Sequence, residues 1–206
     1  FLAFVDLPRA ALTAPGSETL DHLEGLLGLP VSRLGEMTFT VDGDGDRMLA
    51  GLPVQFEFGD IRKSKYCPKC LLEDLKPDSP SQGVPVGRIG WQVAHIRSCP
   101  VHGVALLPGN IQSSPKSLQM IVDITPDQKA LAGIADQATA REWSGLEAYV
   151  SGRLSGQAGP AWLDEQPIDV ATRACEMLGM FLLQPPMISL SRLGEEDWHQ
   201  AGKHGF

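Results

Sequence analysis

Two short motifs constrain this 206-residue chain more than anything else in it: Cys67-Pro68-Lys69-Cys70 and Cys99-Pro100-Val101-His102. Each reads as a metal ligand, a proline, one further residue and a second ligand. Proline fixes φ at its position, so the two ligating atoms of each motif turn into one cup. Together the knuckles offer three thiolates and an imidazole, the number and type of donors that a tetrahedral zinc takes. A disulfide reading is weaker, because ligands separated by two residues match metal geometry and nothing in the sequence points to export. A redox Cys-x-x-Cys usually opens a helix in a parallel α/β context, which this chain lacks. A catalytic zinc keeps one coordination position open, whereas side chains fill all four here. No HExxH or GxSxG motif and no complete HxE…PCxxC deaminase signature occurs elsewhere. The sequence predicts a structural zinc held by Cys67, Cys70, Cys99 and His102 in a protein that is not an enzyme.

Other candidate ligands read as something else. His95 stands four residues before Cys99 and is expected to end a strand, since His102 already completes the second knuckle. Cys175 falls with Ile168, Ala171, Leu178 and Leu182 on one face of a predicted helix, as a buried, inert thiol does. Asp42-Gly43-Asp44-Gly45-Asp46 resembles the start of a calcium loop, but Arg47 and Pro53 occupy the positions where an EF-hand needs Gly and an acid. It reads as a solvated turn.

Charge is unevenly spread. The formal net charge is −8, which argues against a surface made wholly for nucleic acid. Between Arg62 and His102, however, seven Lys or Arg face three Asp or Glu, while the rest of the chain holds ten bases against twenty-two acids. Arg62, Lys63, Lys65 and Lys69 therefore form a basic edge beside the first knuckle, the candidate contact for DNA phosphates. Apolar residues make up 43% of the chain, as in a globular protein, and no apolar run is long enough for a membrane span. With no leader pattern and no disulfide framework, the chain is expected in the cytoplasm. It begins at Phe1 rather than Met and is read as a fragment.

Periodicity suggests an α+β fold in three stretches. In residues 1–60, a short helix over 18–28 carries Leu20, Leu23, Leu26 and Leu27 and stops at Gly28 and Pro30. A helical turn over 31–36 would make a helix-turn-helix-like pair. Strands are expected at Met37, Phe39 and Val41 and again at Val54, Phe56 and Phe58, where apolar residues alternate. Residues 61–110 have the layout of a zinc ribbon: a knuckle, a helical turn, a strand at Ile89, Trp91 and Val93, the second knuckle, and a strand over 104–107. Residues 111–206 turn helical, with helices over 126–138, 142–154, 167–184 and 195–201. Thr125-Pro126-Asp127-Gln128 reads as the capping box of the first. This acidic region is expected to dock a protein partner, the rival reading being that its helices only complete the core.

The zinc segment resembles a known family. Tyr66-Cys67-Pro68-Lys69-Cys70-Leu71, then Gly90-Trp91-Gln92-Val93, then Cys99-Pro100-Val101-His102-Gly103 with Val104, Leu106 and Leu107 behind it, is similar to the TniQ signature over residues 66–107. Family members open on a Gly-Glu-Ser motif, where this chain has Gly16-Ser17-Glu18. The resemblance implies a bacterial, non-catalytic accessory protein of DNA transposition. Such a protein helps to choose the target site and bridges DNA or a targeting complex to the transposase machinery. The alternative is a zinc-ribbon transcriptional regulator that binds DNA without any link to transposition.

Overall fold

Helix α1 spans Ser17–Leu27 and ends as the sequence indicates, with Gly28 in the left-handed conformation and its N–H donating to the Glu24 carbonyl. The computed structural model describes residues 15–42, 44–59, 65–109, 121, 125–183 and 190–206. Strands β1 (Phe39–Val41), β2 (Arg47–Leu49) and β3 (Leu52–Pro53) form an antiparallel sheet in that order. After a second, two-stranded sheet and helix α2, described below, come α3 (Gln128–Asp136), α4 (Gly145–Leu154), α5 (Ala161–Asp164), α6 (Ile168–Leu183) and α7 (Glu195–Gly205). The fold is mixed helix and sheet, as the pattern predicts. No helix among the described residues is long and apolar enough to cross a membrane.

The chain divides into two compact units, one of residues 1–58 with 152–171 and the other of residues 59–151 with 172–206. In the first unit, Leu20 and Leu23 of α1 are buried, whereas Leu26 and Leu27 are half exposed. The helix is therefore narrower in its apolar face than its four leucines suggest. Glu24 is buried too, and its carboxylate accepts from Ser32 N at 2.8 Å and Leu34 N at 2.6 Å. That carboxylate takes two of the backbone donors of 31–36, while Arg33 N donates to Pro30 O and Glu36 N to Ser32 O. Only a 3₁₀ turn at Gly35–Met37 follows, so the expected helix-turn-helix pair does not form.

Of the two strands expected in this stretch, only the first forms. Phe39 pairs with Leu49 and Val41 with Arg47, while residues Phe56–Phe58 form a 3₁₀ turn. Ala50 and Gly51, with φ of 51° and 76°, make the two-residue turn that brings β3 onto β2. Asp42 Oδ1 accepts from the N–H of Asp44 at 3.0 Å and of Asp46 at 2.9 Å, so the acidic run is a self-satisfied, exposed turn.

The second unit carries the cysteines. Strands β4 (Lys65–Tyr66) and β5 (Leu107–Pro108) pair antiparallel, and α2 (Pro68–Asp74) lies directly after β4. Residues Ile89–Gln92 form a 3₁₀ turn in place of the expected strand, with Trp91 N donating to the Arg88 carbonyl. Trp91 and Val93 are still buried. Tight local turns rather than alternation put them inside. Helices α2 and α3 pack together, each burying a leucine completely, Leu71 and Leu131. Asp127, not Thr125, caps α3 and accepts from Lys129 N and Ala130 N, so the expected capping box lies two residues too early.

At the end of the chain, α6 and α7 cross backbone to backbone. A Cβ on Gly179 would collide with the carbonyl of Ala201, and one on Gly205 with the carbonyl of Cys175. Cys175 is buried there, as expected, but Leu178 and Leu182 on the same predicted stripe are about half exposed.

Candidate metal centre

Cys67 is the N-cap residue of α2 and Pro68 its first helical residue, a position where the missing N–H costs nothing. One turn of helix then delivers Cys70 beside Cys67. The second knuckle is a turn closed at both ends: Cys99 N donates to Val104 O at 2.8 Å, and Gly103 N to Cys99 O at 2.9 Å. Gly103 has φ of 58°, the left-handed conformation that only glycine adopts cheaply. Cys67, Cys70 and Cys99 are all buried, and His102 is nearly so.

The four donor atoms converge. His102 Nδ1 lies 3.6 Å from Cys67 Sγ, 3.3 Å from Cys70 Sγ and 3.6 Å from Cys99 Sγ. Cys70 and Cys99 have their sulfurs 3.6 Å apart, and all four atoms lie within 4.8 Å of one another. A tetrahedron with a metal about 2.3 Å from each sulfur has edges of about 3.8 Å. The cluster comes close to the cup of a tetrahedral cation, and the residues could hold a metal ion. Hydrogen bonds from Cys67 and Cys99, with burial, push the Cys70 thiol far up, while hydrogen bonds from Cys67 and Cys70 hold Cys99 well below the usual range. Three crowded thiols cannot ionise together unless a cation sits among them.

The approach to the second knuckle is held by two buried carboxylates that the sequence did not single out. Glu147 of α4 accepts from Arg97 N, Ser98 N and Ser98 Oγ, each at 2.7 Å, and from Ser144 N and Oγ at 2.8 Å. Burial would raise its pKa, but those donors outweigh burial and hold it below the ordinary value. Glu176 of α6 accepts from His95 Nδ1 at 2.9 Å and pairs with Arg97 Nη1 at 2.8 Å. His95 is thus a buried partner of Glu176 outside the four-ligand cluster, and it ends no strand. Neither carboxylate carries a local sequence signal, since each lies on a helix far along the chain from the loop it holds.

Of the basic edge, the described residues include Lys65 and Lys69, and Lys65 departs from the expectation. The Lys65 ammonium turns inward and donates to the carbonyls of Val93, Ala94 and Ile96. Burial lowers its pKa to about 8. Its three donors are engaged, so it has none left for a phosphate. Lys69 is half-buried on α2, and Arg62 and Lys63 lie outside the described residues.

Among known proteins, one family model matches: TniQ, over residues 2–106. No curated protein and no solved structure matches the chain. The matched stretch takes in both knuckles and the return of the chain through Val104 and Ala105, where Ala105 bridges Ser98. It covers just over half of the chain and every ligand of the candidate metal centre, and on that ground the chain belongs to the TniQ family.

Proposed function

We propose that the chain is a non-enzymatic, zinc-binding adaptor that helps DNA transposition to select its target site, bridging DNA or a targeting complex to the transposase machinery. The observation that carries this reading is a four-donor cluster with no open position, placed inside the matched segment of a transposition accessory family that is generally non-catalytic. Zinc is the ion of choice because three sulfurs and one imidazole in a small tetrahedral cup exclude the hard cations that prefer oxygen. Bound there, it would hold α2 and the second knuckle together and do no chemistry. Arg62, Lys63 and Lys69 are the residues assigned to DNA phosphates, and Lys65 is left to the fold.

The test is the distribution of insertions. In a transposition reaction that includes this protein, deleting it or substituting Cys99→Ser should scatter or abolish targeted insertion while the transposase still joins strands by itself. Purified protein should carry about one zinc per chain by elemental analysis. Unchanged insertion sites, together with specific binding at a promoter, would favour a transcriptional regulator instead.

A further inference from the structure

Helix α2 delivers more than two ligands. Cys67, Cys70 and Glu73 follow at a spacing of three, and that spacing keeps them on one side of a short helix. The Glu73 carboxylate reaches back to His102, with Oε1 3.1 Å from Nε2, while the other ring nitrogen of His102 faces the three sulfurs. A neutral imidazole has one N–H and one lone pair. An acceptor beside Nε2 favours the N–H on that side and the lone pair on Nδ1, the side on which a metal would be bound.

We infer that Glu73 is the positioning residue of the metal centre: it selects the His102 tautomer and ring orientation in which Nδ1 is the ligand. The inference rests on the zinc reading above. The alternative role, a surface ion pair with a protonated histidine, is incompatible with metal ligation, because an imidazolium has no lone pair to give. Glu73 is half exposed and His102 only 14% exposed, so the carboxylate also shields the ring edge that faces water. Carboxylates in this position typically change metal affinity by about 10- to 100-fold. Solvent at Glu73 places the expected effect at about the lower end of that range.

Three proteins decide it: the wild type, Glu73→Ala, and Glu73→Gln, which keeps an acceptor oxygen but no charge. Zinc affinity is read by competition with a chromophoric chelator, and ligand geometry by the visible spectrum of the cobalt-loaded protein. Glu73→Ala should bind zinc about tenfold more weakly, with altered cobalt bands, and Glu73→Gln should recover most of the affinity and the wild-type bands. Equal affinity and identical bands in wild type and Glu73→Ala overturn this inference and leave the zinc site standing. A Glu73→Gln protein as weak as Glu73→Ala also overturns it, since charge rather than hydrogen bonding would then be at work. A wild type that binds neither metal removes the zinc reading and this inference together.

Discussion

Glu147 is 2% exposed, yet it has donors around both oxygens, and two of them are the backbone N–H groups immediately before Cys99. A carboxylate buried without such partners would be destabilising; this one, with its pKa held below 4.5, stabilises the fold as long as it stays ionised. The unfolded state binds its proton first as pH falls, so the contribution is complete above about pH 4.5 and is lost as pH drops through the lower folded value. Glu147→Gln should therefore be less stable at neutral pH, by about 2 kcal/mol for hydrogen bonds to a charged group. Denaturant melts from about pH 7 down to about pH 3 should show the gap to wild type constant at first and closing only below about pH 4.5. A gap that stays constant throughout would mean that Glu147 has the same pKa folded and unfolded, so that its buried donors do not favour the ionised form. At this scale the sequence was legible where chemistry is local. The four candidate ligands announce themselves by spacing, and Glu73 could have been read from its place three residues after Cys70. Glu147 and Glu176 could not, because long-range folding alone gives them their partners. Lys65 was misread for the same reason, as its carbonyl partners lie beyond the first knuckle.

Helices are legible as elements, but of the expected strands the one at Phe39–Val41 forms and those at 54–58 and 89–93 do not, and the difference is length. α1, α3, α4, α6 and α7 each run nine residues or more, long enough for a helical period to show. The strands run two or three residues, too short for alternation to mean anything, so the apolar runs at 54–58 and 89–93 were taken for strands when they fold as 3₁₀ turns. The apolar stripe of α6 was over-read as well, because amphipathicity says which face is apolar but not how far a neighbour covers it. The crossing of α6 with α7 is set by glycine rather than by that stripe. Gly179→Ala should cost about 1–3 kcal/mol, since the backbones must separate to admit one methyl group. Gly133→Ala, in the middle of α3 with open space at its Cβ, should instead gain about 0.5–1 kcal/mol from helix propensity. Equilibrium denaturation of the two variants gives both signs. Equal effects would show that the α6–α7 contact is looser than its geometry implies.

For the whole chain the question is whether the metal replaces a core, as the zinc-ribbon reading supposes, or completes one. The second unit answers through its hydrogen bonds. Ala105 N donates to Thr139 O and Arg141 N to Gly103 O, both at 2.9 Å, so the chain just after the second knuckle is paired with the segment between α3 and α4. Arg141 Nη1 donates to Arg97 O on the other side of the same knuckle. Leu71, Val104, Ala105 and Leu106 are all buried in a unit to which residues 125–151 and 172–206 contribute. A chain ending after Gly109 would lose those partners. Exposing even three such side chains costs about 1.5–3 kcal/mol each, against a total stability of about 5–15 kcal/mol for a typical domain. Losing the Glu147 carboxylate would then strand the N–H groups of Arg97 and Ser98 beside Cys99. The truncated protein is therefore expected to aggregate or to melt without a cooperative transition, even with excess zinc, while the full chain melts cooperatively and loses stability when zinc is chelated. Circular dichroism melts and size-exclusion profiles of the two proteins, each with zinc and with chelator, make the comparison. A truncated chain that stays monomeric, holds zinc and melts cooperatively would show that the knuckles fold alone and that the helices are free to serve a partner.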